Sequence, residues 1–139
     1  MKKILIDTNA YSRLLAGNKA ILDIIGSAER VYMSIFVLGE LYAGFAGGTR
    51  NMENKKALHS FLTKPTVKIL NATSETAEVF GMVKNSLSKA GTPIPINDVW
   101  ISAHAIETGA LVITFDIHFK KVAGLRIWEG VESSASFLS

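Results

Sequence analysis

Cysteine is missing altogether from the 139-residue chain. That excludes disulfides, thiol nucleophiles and thiolate-held metals, so any metal must be held by oxygen or imidazole. Charge is sparse: Asp, Glu, Lys and Arg make up 19% of the residues against 48% apolar ones. A chain of this length and balance can bury roughly two thirds of its unfolded surface and needs no staples to fold. Long hydrophobic runs are lacking too. Nothing approaches the roughly 18 apolar residues of a spanning helix, and the longest candidate, residues 34–48, is interrupted by Glu40. The opening Lys2-Lys3-Ile4-Leu5-Ile6 stops at Asp7, well short of a signal-peptide core. The expectation is a cytoplasmic protein with no membrane partner. Internal repeats, low-complexity tracts and linkers are also absent, so residues 1–139 are expected to form one domain.

What is present is an alternation of short β-branched runs with longer helical stretches. Residues 3–6, 31–34, 67–70, 111–114 and 125–128 read as strands. Residues 11–15, 19–27, 36–46, 53–62, 74–90 and 98–108 read as helices, with one further turn at 118–122. Ser34, Ser74 and Asn97 are the expected N-caps, and Gly47-Gly48, Gly91 and Gly109 the stops. Pro93 and Pro95 force a loop before the last long helix. Phe137 and Leu138, in the Ser-rich tail, are expected either to dock or to stay loose. Strands alternating with helices argue for a parallel α/β sheet, and the unbroken apolar runs Ile4-Leu5-Ile6 and Leu111-Val112-Ile113 argue for burial on both faces. Functional groups of such sheets lie beyond the carboxyl ends of the strands.

Four acids fall in that region. Asp7 directly follows the first strand, Asp116 lies two residues beyond the fourth, and Asp98 sits in the first turn of a helix entered across the same edge. Glu40 lies on the helix after the second strand. Each has a plain structural reading: Asp7 as a turn residue, Asp98 as a helix-dipole partner, Asp116 as solvated surface. Glu40 sits on a helix that is apolar almost all round, so it is expected to be largely buried. It then needs Arg13, Lys19 or a cation to compensate it. Converging carboxylates repel and drive one another toward protonation. A hard divalent cation such as Mg²⁺ or Mn²⁺ removes that conflict with all-oxygen ligands. One or two such ions suit phosphodiester hydrolysis.

The charge balance agrees with a polyanionic substrate. The formal net charge is +3, and with four acids set aside in one site, eight acids remain against 15 Lys and Arg. Lys55, Lys56, Lys64, Lys68, Lys84, Lys89, Lys120 and Lys121 are candidate phosphate contacts, although most read as solvated surface. His59, His104 and His118 do not show a metal spacing; His118 is close enough to Asp116 to approach a substrate. Trp100, Trp128 and Phe119 read as core rather than base-stacking residues. Part of the surface around Phe36, Tyr42 and Phe45 is left over for a partner chain. Gly47-Gly48 lacks the Lys-Ser or Lys-Thr of a phosphate loop.

Taken in order, Asp7-Thr8-Asn9 after a strand, Ser34 with Glu40-Leu41 and Gly44, Asn97-Asp98 with Ile101-Ser102-Ala103, Ile113-Thr114-Phe115-Asp116 with Phe119, and the closing Gly124-Leu125-Arg126-Ile127-Trp128 resemble the PIN-domain nucleases. The VapC-type toxins of toxin–antitoxin pairs are the subgroup they resemble most. One departure is Ser102, where a second alanine is commoner. The resemblance implies a three-layer α/β/α domain with a five-stranded parallel sheet of order 3-2-1-4-5. It implies Mg²⁺- or Mn²⁺-dependent endonucleolytic cleavage of RNA by Asp7, Glu40, Asp98 and Asp116, with Asn9 and Thr114 orienting a carboxylate or a water. It also implies a homodimer held inactive by a small antitoxin protein. Two alternatives stand beside this: a housekeeping RNA-processing PIN nuclease, and a non-catalytic signalling domain with an acidic Mg²⁺ pocket. The latter wants paired acids after strand one and an acceptor Asp after strand three, where this chain has Asp7 alone and Asn71-Ala72.

Overall fold

The computed structural model describes residues 2–128. Four strands, β1 (Lys3–Ile6), β2 (Arg30–Ser34), β3 (Val67–Leu70) and β4 (Leu111–Ile113), form one parallel sheet in the order β3-β2-β1-β4. Six helices flank it: α1 (Thr8–Leu15), α2 (Lys19–Ser27), α3 (Ile35–Ala46), α4 (Asn51–Leu62), α5 (Ser74–Ala90) and α6 (Ile96–Thr108). Ile4, Leu5 and Ile6 of β1 are fully buried, as are Val31, Met33, Val112 and Ile113 beside them. This is the burial on both faces that unbroken apolar strands require. A smaller apolar cluster of Val83, Leu87, Val99 and Val122 seals α5 against α6. Among the described residues, no helix is long and apolar enough to cross a membrane.

The expected fifth strand is not formed among the described residues. Residues 125–128 contribute a single parallel bridge, Ile127 to Val112, closed by Val112 N–H to the Arg126 carbonyl at 2.8 Å and Trp128 N–H to the Val112 carbonyl at 2.9 Å. The edge it joins explains the brevity. β4 has only three residues, and Gly124, at φ +80°, turns the chain immediately beforehand. Phe137 and Leu138 lie outside the described residues.

The starts or caps of α1, α5 and α6 also differ from expectation. α1 begins at Thr8 rather than Tyr11, because Asp7 is its N-cap: the Asp7 carboxylate accepts from Ala10 N–H at 2.9 Å. α5 is capped by Thr73, not Ser74, through a reciprocal capping box with Thr76. α6 is entered from Pro95, whose carbonyl accepts from Asp98 N–H at 3.0 Å and Val99 N–H at 3.3 Å. Asn97 lies inside that helix and caps nothing. Ser34 does cap α3, accepting from Phe36 N–H at 3.1 Å.

Phe36 and Tyr42 stay partly exposed on α3, while Phe45 is buried. Phe36 stacks on Trp100 at 4.9 Å between ring centroids, Trp100 stacks on Phe80 at 3.9 Å, and Tyr42 pairs edge-on with Phe45. Phe119 is fully buried, and Trp128 packs edge-on against Phe115. Trp100, Trp128 and Phe119 are thus packed against other side chains.

Candidate active site

Parallel pairing sets Ile6 beside Ile113, so β1 and β4 end together. Asp7 follows the first and donates its N–H to the Ile113 carbonyl at 3.3 Å. Thr114 to Asp116 follow the second. α3 starts from the carboxyl end of β2 and presents Glu40, while the first turn of α6 presents Asp98. All four acids line one cleft of about 390 Å³, together with Thr8, Asn9, Ser12, Pro95 and Ile101. Among the described residues, no Lys or Arg is in that lining.

Asp7 is the most enclosed of the four, at 5% exposure. One carboxylate oxygen, Oδ1, accepts from Ala10 N–H; the other, Oδ2, accepts from the Thr114 hydroxyl at 2.5 Å. Thr114 Oγ1 in turn accepts from Asp116 N–H at 2.9 Å, so one hydroxyl ties Asp7 to the loop that bears Asp116. Asn9 Oδ1 accepts from Phe115 N–H at 3.2 Å and holds the same loop from the other side. Asn9 and Thr114 thus both position the β4 loop, and Thr114 also orients a carboxylate directly.

Glu40 is half-buried rather than enclosed, because Gly39, Ala43 and Gly44 leave that part of α3 open. Neither Arg13 nor Lys19 compensates it. Arg13 lies over the Phe115 ring at 4.1 Å, and Glu40 Oε1 instead accepts from the Thr8 hydroxyl at 2.6 Å. Thr8 was not singled out from sequence, although its place directly after the capping Asp7 aims its side chain into the cleft. Ser102, at the usual alanine position, is buried and donates to the Asp98 carbonyl at 2.7 Å.

Asp7 and Asp98 bear the mark of burial among other acids. Burial is the main reason that Asp7 rises from 3.8 to about 7; the bonds from Thr114 and Ala10 oppose it, and the fields of Asp98 and Asp116 add to it. Asp98 rises to about 6, again chiefly through burial, then through Asp116 and Glu40, with His118 opposing. Such a donor set suits a hard cation, which supplies the missing positive charge. His118 joins it. A ligand atom from each of Asp98, Asp116 and His118 lies within 4.8 Å of the others. The sequence hides this, because Asp116 and His118 come together only through the 3₁₀ turn Ile117–Lys121 that Asp116 caps.

Comparison with known proteins agrees with the geometry. A family model described as PIN domain matches residues 4–125. Ribonuclease VapC2 of Haemophilus influenzae is 30% identical over 131 residues, covering 91% of this chain and 96% of that one. Among solved structures, DNA-bound VapBC from Salmonella typhimurium superposes with a TM-score of 0.82 at 24% identity, covering 92% of this chain and 98% of that chain. VapBC-5 of Mycobacterium tuberculosis, a member of the VapBC family of toxin–antitoxin systems, gives 0.67 at 22% identity, covering 92% and 97%. The carboxylate cleft therefore sits in a chain that belongs to the PIN-domain family, among its VapC ribonucleases.

Proposed function

We propose that this protein is a divalent-cation-dependent endoribonuclease and the toxin of a toxin–antitoxin pair. Asp7, Glu40, Asp98 and Asp116 hold Mg²⁺ or Mn²⁺ and constitute the catalytic set. The observation that carries this reading is the convergence of four acids from four chain segments on a cleft lined by no basic residue, in a protein of net charge +3. A divalent cation bound there stabilises charge on the phosphoryl oxygens and lowers the pKa of water for attack on phosphorus.

The chain's own groups do the positioning. Thr114 and Ala10 N–H fix both oxygens of Asp7. Thr8 orients Glu40, and Asn9 pins the loop that delivers Asp116. The cleft is open to solvent, as a polymeric substrate requires. The same reading includes a small antitoxin protein as partner, supported by the VapBC complexes that share the fold, and a homodimer as the working unit.

Cleavage of total cellular RNA with end mapping tests the proposal. Cutting is expected with Mg²⁺ or Mn²⁺ and is expected to stop with EDTA. Asp7→Asn and Asp98→Asn are each expected to reduce it to background, with unchanged circular dichroism. Full activity in both variants would overturn the assignment.

A further inference from the structure

Beyond the four acids, we propose that His118 is itself a ligand of the cation, so that the site has a mixed oxygen–nitrogen donor set and favours Mn²⁺ over Mg²⁺. The inference rests on the metal-site reading above and adds to it one residue and a metal preference.

The geometry begins with the 3₁₀ turn after β4. Asp116 caps it: its Oδ1 accepts from His118 N–H at 2.9 Å, which fixes the backbone of residue 118 against the carboxylate. His118 Nδ1 then stands 3.1 Å from that same Oδ1, a side-chain pairing that an ion bound between the two would replace. Two neighbouring ligands of an octahedral cation, each about 2.1 Å from the ion, are about 3 Å apart. The Asp116–His118 spacing therefore already matches one edge of such a coordination shell. Asp98 completes a three-residue face, with one atom from each residue within 4.8 Å of the others. Asp98 and Asp116 line the cleft, and the His118 side chain is half exposed beside them. It can turn either ring nitrogen toward an ion without disturbing the core.

The other two histidines are committed elsewhere. His104 is buried, with one ring nitrogen 2.9 Å from the Ser34 hydroxyl and the other 3.1 Å from the Asn71 carbonyl. His59, on α4, is paired with the hydroxyl of Tyr42 on α3. An imidazole ligand shifts a carboxylate site away from Mg²⁺, which prefers oxygen, toward transition metals that accept nitrogen. Of the two ions compared, Mn²⁺ as a transition metal tolerates the nitrogen donor better than Mg²⁺.

Pulsed electron paramagnetic resonance of the protein loaded with Mn²⁺ reads the coordination directly. The wild-type protein is expected to show hyperfine coupling from a directly bound imidazole nitrogen, and His118→Ala is expected to lose it. In competition titrations, His118→Ala is expected to weaken Mn²⁺ binding on the order of tenfold and Mg²⁺ binding less, so the Mn²⁺/Mg²⁺ preference falls. His118→Gln, which keeps a polar side chain at the turn, should behave as the alanine variant does if nitrogen ligation is the point. It should behave as wild type if His118 only steadies Asp116, and that result overturns the inference. Mn²⁺ bound without nitrogen coupling in wild type, or with coupling that persists in His118→Ala, overturns it as well while leaving the carboxylate site standing. A wild-type protein that binds no Mn²⁺, and so resembles Asp98→Asn, defeats both claims.

Discussion

Asp7 serves two ends that pull against each other. As the N-cap of α1 it helps the fold, and as an almost fully enclosed carboxylate it strains it. Burial lifts its pKa to about 7, above the unfolded value of 3.8, so the metal-free fold favours the protonated form. Its contribution to stability is therefore complete below about pH 4 and is lost as pH rises through 7. The slope between those limits is about 1.4 kcal/mol per pH unit. Asp7→Asn keeps an acceptor for Ala10 N–H and removes the charge. In EDTA, this variant is expected to match wild type near pH 4 and to melt at a higher temperature at pH 8, with the acid-to-neutral slope reduced. Thermal unfolding at several pH values checks this. A variant less stable than wild type at pH 8 would show that the charge itself supports the fold. The sequence exposed Asp7 as a candidate through its place after an apolar strand. It did not expose Thr8, because a threonine at a helix start has an ordinary explanation until the partner 32 residues away is seen.

Elements were legible where one local signal decided them. Ser34 before an apolar run and Gly109 after one mark α3 and α6 in the sequence as in the structure. Boundaries failed where two signals competed: Thr73 displaced Ser74 because Thr76 completes a reciprocal box, and Pro95 opened α6 with its carbonyl. The fifth strand failed because its length depends on its partner, and β4 is too short to pair with more than one of its residues. The Ser34 cap has a reach that no local pattern conveys. Its hydroxyl accepts from Phe36 N–H and donates to His104 Nδ1, while His104 Nε2–H donates to the Asn71 carbonyl. One buried chain of bonds thus fastens the ends of β2 and β3, the start of α3 and the middle of α6. Ser34→Ala removes the cap and leaves a buried imidazole nitrogen unpaired. It is expected to lower stability by about 1–3 kcal/mol, read from the urea midpoint. RNA cleavage should fall too, because α3 carries Glu40 and α6 carries Asp98. A stability loss with cleavage fully retained would confine the network to folding.

At the scale of the whole molecule, the sheet order brings together what the chain keeps apart. β1 and β4 are adjacent although more than a hundred residues separate Asp7 from Thr114, and that adjacency is the reason Asp7 and Asp116 share one cleft. Sequence alternation sufficed to foresee a parallel sheet with acids at its carboxyl edge. The distances among the acids were not foreseeable, because they depend on helix entry angles and on the turn at Ile117–Lys121. On the proposed metal-site reading, cation binding is coupled to the stability of the entire fold, since an ion that binds only the folded state stabilises it by mass action, about 2.7 kcal/mol at a hundredfold excess over Kd. Protons compete for the same oxygens. With Asp7 at about 7 and Asp98 at about 6, a cation at pH 5 must displace protons from both, whereas at pH 8 both are already ionised. The rise in melting temperature on adding Mn²⁺ is therefore expected to be small at pH 5, to grow between pH 5 and 7, and to level off near pH 8. The Asp7→Asn variant should gain less at every pH. Melting curves with and without Mn²⁺ across that range measure it, and a gain equal at pH 5 and pH 8 would mean that the ion binds away from these carboxylates.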